Sequence, residues 1–186
     1  MANVLLIHGT NGSPDSHWFP WLKKELESRG YDVLAPQFPV DDNQNFDSWF
    51  AEFRRIFSQL DRNLIIVAHS MGVPFALKLI EQNIIPVAGC FMVGGFFEQY
   101  EGDEDSEIDS TFVKENFDFE TIKKNCKRLF IYASEDDDVV PVKYSKNLSE
   151  KLDEDPILFE DAGHFTEGDG YTQFEDLLVD ILSLDN

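Results

Sequence analysis

The chain has 186 residues, room for one packed core and little for two, and its 42% apolar content with 17 phenylalanines excludes a disordered polypeptide. Against 15 Lys and Arg stand 36 Asp and Glu, a formal net charge of −21 that repels nucleic acid and anionic membranes and excludes polyanion binding as a natural role. Cys90 and Cys126 lack the spacing of a disulfide framework or a zinc site, and residues 1–7 lack a basic leader and a long apolar stretch. The expectations are therefore one domain over residues 1–186, reduced thiols, a cytoplasmic location and no membrane span.

In chain order, short apolar runs bounded by turn residues occur at 4–7, 31–35, 64–68, 87–93 and 129–133, with a weaker one at 157–160. They are nearly continuous in hydrophobicity, as strands covered on both faces must be. Helix-period stretches alternate with them at 18–28, 46–59, 74–82, 142–152 and 171–184. Strand alternating with helix predicts an α/β doubly wound architecture, a mostly parallel sheet of about six strands with helices on both faces. Gly30 is placed as a helix stop, and Pro74 and Pro141 are placed in first turns. Residues 96–118 break the alternation: Glu98, Glu101, Asp103, Glu104, Asp105, Glu107 and Asp109 carry no apolar period until Phe112, which predicts a mobile acidic excursion. The spacing of Asp103, Asp105, Glu107 and Asp109 superficially suits a calcium loop. However, Ile108 stands where such a loop needs glycine and Lys114 where it needs glutamate, so no metal is expected.

The chemistry centres on Ala68-His69-Ser70-Met71-Gly72, directly after the run 64–67 and directly before a helical pattern. A strand that reverses sharply into a helix lifts a serine hydroxyl out of the sheet, and small residues two positions either side are a steric requirement of that turn. Alanine replaces the first glycine of the usual Gly-x-Ser-x-Gly, and an ordinary strand-to-helix turn is the competing reading of the pentapeptide taken alone.

A serine nucleophile needs a base, and the base needs an acceptor to fix its tautomer. The run 129–133 empties into Ser134-Glu135-Asp136-Asp137-Asp138-Val139-Val140-Pro141, where an aspartate, two residues and then valine-proline opening a helix selects Asp137, with Asp136 as runner-up. After the last run come Asp161-Ala162-Gly163-His164-Phe165, placing His164 behind a glycine at a strand end. The order serine, acid, histidine is that of α/β-type hydrolases. His69, adjacent to the serine, is assigned to packing or hydrogen bonding with neighbouring loops. For an oxyanion, the N–H of Met71 and that of Thr10, in the loop His8-Gly9-Thr10-Asn11-Gly12-Ser13, are the candidate donors. That loop lacks the glycine spacing of a dinucleotide or phosphate cradle.

With His8-Gly9, Ala68-His69-Ser70-Met71-Gly72, Asp137 before Val140-Pro141 and Gly163-His164-Phe165, the chain resembles the small α/β-hydrolases of the retinoblastoma-binding serine hydrolase group and its YdeN-like bacterial members. His17-Trp18-Phe19-Pro20-Trp21-Leu22-Lys23-Lys24 adds to the likeness, and the elbow is also similar to that of minimal bacterial lipases. The resemblance implies a compact lidless α/β-hydrolase with Ser70, Asp137 and His164 as its triad. The function read from the residues is a serine hydrolase, carboxylesterase-like, acting on small ester or related acyl substrates without metal or organic cofactor. Asn11 is expected at the pocket, and Trp18 and Trp21 are open to two readings, packing of helix against sheet or lining of the pocket mouth, with Trp18 the pocket candidate. The competing function is a catalytically marginal protein-interaction module on the same scaffold, although no feature of the sequence supports a protein partner.

Overall fold

A computed structural model describes residues 2–99, 106–113 and 116–185. Its six strands, β1 (Ala2–Ile7), β2 (Val33–Leu34), β3 (Leu60–His69), β4 (Val87–Val93), β5 (Leu129–Ser134) and β6 (Ile157–Phe159), form one sheet in the order β2-β1-β3-β4-β5-β6. Every neighbouring pair is parallel. The α-helices among the described residues are α1 (Phe19–Ser28), α2 (Phe46–Ile56), α3 (Gly72–Glu81), α4 (Ser106–Val113), α5 (Phe119–Asn125), α6 (Val142–Leu152) and α7 (Glu175–Leu182).

The continuous apolar runs follow from burial on both sides. Val4, Leu6, Ile65, Val67, Phe91 and Val93 face one layer, made by Phe19, Leu22 and Leu26 of α1 and Leu177, Leu178 and Ile181 of α7. Leu5, Ile7, Leu64, Ile66, Cys90 and Met92 face the other, where Trp49 and Phe53 of α2, Phe75 and Leu79 of α3, and Leu148 and Leu152 of α6 pack. Each such side chain contributes roughly 1.5–3 kcal/mol of burial, so alternate residues of one strand hold two separate layers.

Local signals set the helix ends. Gly30, at φ +91°, follows α1, with its N–H on Glu27 C=O at 3.1 Å and the Tyr31 N–H on Leu26 C=O at 3.2 Å, a pairing that satisfies the last carbonyls. Asn45 opens α2 by accepting the Ser48 N–H at 3.0 Å, while Ser48 Oγ accepts the Asn45 N–H at 3.3 Å.

Two expectations need correction. The acidic segment is not one excursion, because α4 lies within it and Asp118, its last residue, caps α5. Ile108 and Phe112 fall four residues apart on α4, and the buried Phe112 ring packs on Trp49 with centroids 5.0 Å apart. Asp118 starts α5 by accepting the Thr121 N–H at 3.0 Å, and Ile122 buries the short helix. Residues 100–105 and 114–115, with Glu101, Asp103, Glu104, Asp105 and Lys114, lie outside the described residues. The last helix also begins later than its period suggests. Tyr171 N–H donates to Thr166 C=O at 2.9 Å, so residues 171–174 serve the preceding loop instead of α7.

Candidate active site

Strand β1 has β2 on one side and β3 on the other, so the chain order reverses between β1 and β3. The loops leaving the carboxyl ends of those two strands therefore diverge and open a crevice, which is where ligands of doubly wound sheets bind. Here the loops are the Gly9 to Gly12 turn and the Ser70 turn.

Ser70 adopts φ +53°, in the left-handed region. For a residue with a Cβ that costs about 1–2 kcal/mol, so the surrounding structure must hold it. Its N–H donates to Val93 C=O and its C=O accepts the Val73 N–H, both at 2.9 Å. Two residues on, a Cβ at Gly72 would come 2.6 Å from Ile7 O and 2.9 Å from His8 O, so α3 can start against the end of β1 only without a side chain there. On the other wall, a Cβ at Gly9 would sit 2.9 Å from the Ser70 Cβ. Glycine lets the backbone of the first loop close on the serine.

That first loop is tied down by side chains from a distance. The Gly12 N–H closes a turn on Gly9 C=O at 3.1 Å, with Asn11 at φ +49°. His8 Nε2 accepts the Phe38 N–H at 3.0 Å, which puts the ring hydrogen on Nδ1, donating to Gly9 C=O at 2.8 Å. Burial holds the His8 pKa below its ordinary value, against the pull of those backbone contacts, and so favours this neutral ring. Gln37 Nε2 donates to Gly12 C=O at 3.1 Å, and Gln44 Oε1 accepts the Asn11 N–H at 2.8 Å. Among the described residues, neither the Thr10 nor the Met71 N–H donates to another backbone group in the turns and loops. Thr10 lines the cleft, and Met71 is buried at the start of α3.

Beyond β5, the two candidate aspartates divide the work. Asp137 Oδ2 lies 2.8 Å from His164 Nδ1, and its Oδ1 accepts the Val139 and Val140 N–H groups at 3.0 and 2.8 Å. Both residues are buried. Asp136 turns the other way, and its Oδ1 accepts from Ser134 Oγ at 2.5 Å, Gly163 N–H at 2.9 Å and Ala162 N–H at 3.1 Å. The Ser134 hydroxyl first, then the Gly163 N–H, hold its carboxyl below the usual carboxylate range. The histidine loop is thus pinned by Asp136 on one side. On the other, Asp169 Oδ2 accepts the His164 N–H at 3.1 Å, the Thr166 N–H at 2.9 Å and Thr166 Oγ1 at 2.7 Å. Burial works against ionisation of Asp169, yet the Thr166 hydroxyl and N–H bring its pKa below the ordinary value.

With Nδ1 donating to Asp137, the lone pair of His164 lies on Nε2, and the ring shares with Ser70 a cleft of about 220 Å³ that Gly9, Thr10, His17 and His69 also line. Among the described residues no hydrogen bond joins Ser70 Oγ to the His164 ring. Such contacts commonly close only around substrate. Gly94 permits the pairing, since a Cβ there would come 3.2 Å from His164 Nδ1. His69 Nε2 donates to His164 C=O at 2.8 Å, with ring centroids 4.8 Å apart, so it braces the loop. A larger groove of about 830 Å³ between α2, α3 and α4, lined by Phe46, Lys78 and Thr111, contains neither Ser70 nor His164.

Two expected pocket residues lie elsewhere. Trp18 is fully buried beneath the cleft, donating Nε1–H to Phe165 C=O at 3.1 Å, because its indole completes the α1 and α7 layer. Asn11 turns outward, its side chain accepting the Asp41 N–H at 3.1 Å, and it does not line the cleft. The sequence reading missed the half-exposed Val139 at the cleft and the loop-holding roles of Asp136, Asp169 and Gln44. A Thr166-x-x-Asp169 capping pattern was the available signal for Asp169.

The chain is similar to known proteins over nearly its whole length. The family model described as "Serine hydrolase" matches residues 4–182. YdeN of Bacillus subtilis (strain 168) is 30% identical, covering 97% of this chain and 94% of its own, and serine hydrolase RBBP9 of Rattus norvegicus is 28% identical, covering 98% and 95%. The crystal structure of the B. subtilis ydeN gene product superposes with a TM-score of 0.88 at 29% identity, over 99% of this chain and 98% of that one. An esterase from Exiguobacterium antarcticum shares the fold, with a TM-score of 0.72 at 15% identity over 100% and 92%.

Proposed function

Because the chain belongs to the serine hydrolase family, we propose that it is a carboxylesterase-type acyl hydrolase of small esters, working through Ser70, His164 and Asp137 as one domain over residues 1–186. The observation that carries this reading is the buried 2.8 Å pair of His164 and Asp137 beside a serine held at φ +53° in the same cleft. Ser70 Oγ attacks the acyl carbon while His164 Nε2 takes its proton, and Asp137 stabilises the imidazolium and fixes the ring. The Met71 and Thr10 N–H groups receive the oxyanion, each such donor being worth roughly 3 kcal/mol of barrier. His164 then returns the proton to the departing alcohol. A water activated the same way cleaves the acyl-enzyme and restores Ser70. The buried, unpaired thiols of Cys90 and Cys126 support a cytoplasmic setting.

The test is Ser70→Ala. The wild type is expected to hydrolyse p-nitrophenyl acetate and to be labelled by a fluorophosphonate, and the variant to lose both. Retention of both by the variant rejects the assignment of Ser70. A wild type that does neither would favour a role in protein interaction.

A further inference from the structure

The cleft of about 220 Å³ holds on the order of seven water volumes, which suits a short chain. Its wall is polar on the side of α1 and the histidine loop, where Ser13, Ser16, His17 and Thr166 line it, and no lysine or arginine does so among the described residues. The wall hydroxyls are engaged. Ser13 Oγ and Ser16 Oγ lie 3.0 Å apart, and Thr166 Oγ1 donates to Asp169. His17 differs. Its Nδ1 accepts the Glu167 N–H at 3.1 Å, so the ring hydrogen sits on Nε2, which no group among the described residues engages. The ring is half-buried and held edge-on to His69 at 5.5 Å, and the backbone is committed to φ +56°.

We propose that His17 is a specificity-determining hydrogen-bond donor, and that the preferred substrate is a short ester carrying an ether, hydroxyl or keto oxygen beyond the reacting carbonyl. Burial lowers the His17 pKa, and this outweighs the opposing pull of Glu167, which keeps the ring neutral and its tautomer defined. A donor fixed in a small cleft and left unpaired by an alkyl chain discriminates by analogue rejection, because binding the plain alkyl group strips water from the N–H without replacing it. With no lysine or arginine lining it among the described residues, the cleft is set against a free carboxylate on the substrate.

The inference rests on the Ser70 reading, and its test separates the two. Kinetics are compared within two near-isosteric pairs, p-nitrophenyl methoxyacetate against p-nitrophenyl butyrate, and 2-methoxyethyl acetate against butyl acetate, each normalised to its rate with hydroxide. In the wild type one pair is expected to favour the oxygen-bearing ester by about tenfold in kcat/KM, and which pair does so tells whether the acyl or the alcohol side meets His17. His17→Phe is expected to abolish that ratio, and His17→Gln, which keeps an N–H donor, to restore most of it. Normalised ratios near one in both pairs, or a ratio unchanged by His17→Phe, overturn the role of His17 and leave the triad standing. Should His17→Phe not fold, His17→Leu replaces it, and a ratio that His17→Leu leaves unchanged overturns the role of His17 in the same way. A wild type that turns over none of the four esters and takes no fluorophosphonate label overturns both readings.

Discussion

The two turns that meet at the cleft are held by different forces. The Ser70 turn is fixed by shape: Ala68 and Gly72 are small, Gly9 closes on the serine, and the left-handed residue is trapped between β3 and α3. The His164 loop is fixed by charge, with two carboxylates, Asp136 and Asp169, gathering its N–H groups from opposite sides. Steric fixation tolerates no added atom and little motion. Electrostatic fixation tolerates substitution in small steps, and it suits the role proposed for His164, a base that shifts between Ser70 and the leaving group.

That contrast orders the expected effects of mutation. Gly72→Ala is expected to be the most damaging, since its Cβ would fall 2.6 Å from Ile7 O and 2.9 Å from His8 O, backbone atoms that cannot rotate away. A loss of about 2–3 kcal/mol in urea unfolding is expected, together with most activity. An unchanged midpoint would show that α3 slides freely on β1. Asp169→Ala removes three hydrogen bonds from an exposed carboxylate, so about 1–2 kcal/mol is expected. Its larger signature is in kcat/KM for p-nitrophenyl acetate, down about tenfold or more as the base loses its position. Equal losses of stability and activity in both variants would erase the distinction between the two turns.

The same contrast explains what was legible in the sequence. Strands buried on both faces write continuous apolar runs, and the serine turn writes small residues at fixed offsets, so the sheet and the sharp turn at Ser70 could be read directly. Asp137 was legible through its distance to Val140-Pro141. The scaffolding carboxylates were not, because an aspartate that accepts backbone N–H groups looks like any solvated acid in a chain with 36 acidic residues. Gln44 holds Asn11 across a sequence separation of 33, which no local pattern encodes. Trp18 stayed open between packing and pocket because a tryptophan near a motif serves either until the layer it completes is known, and the structure puts it in the core. In α4 and α5, one or two buried side chains per helix leave too weak a period under a surplus of charge.

Ser70→Gly sharpens the steric half of the comparison. If the turn imposes φ +53° at a cost, glycine relieves it, and the variant is expected to gain about 1 kcal/mol in urea unfolding while losing the hydrolysis of p-nitrophenyl acetate proposed for the wild type. Destabilisation instead would mean that the serine side chain holds the turn.

The smallest expected effect probes the histidine loop through pH. Burial, followed by the nearby His164, holds the His69 pKa well below 6.5, and the contact to the His164 carbonyl offsets only part of this. Its depressed folded value means that the unfolded chain binds the proton first. The His69 contribution to stability is therefore intact above 6.5 and is lost as the pH falls from there toward the folded value. His69→Gln keeps an N–H for the His164 carbonyl but cannot titrate. Between about pH 7.5 and 6, wild-type stability is expected to fall relative to His69→Gln by less than about 1 kcal/mol. The comparison is made against the variant because the same acidification also relieves repulsion within a chain of net charge −21. Parallel pH curves for the two proteins would mean that His69 takes up its proton in the folded state without cost, and the loop would then lack the dry support that the buried ring provides.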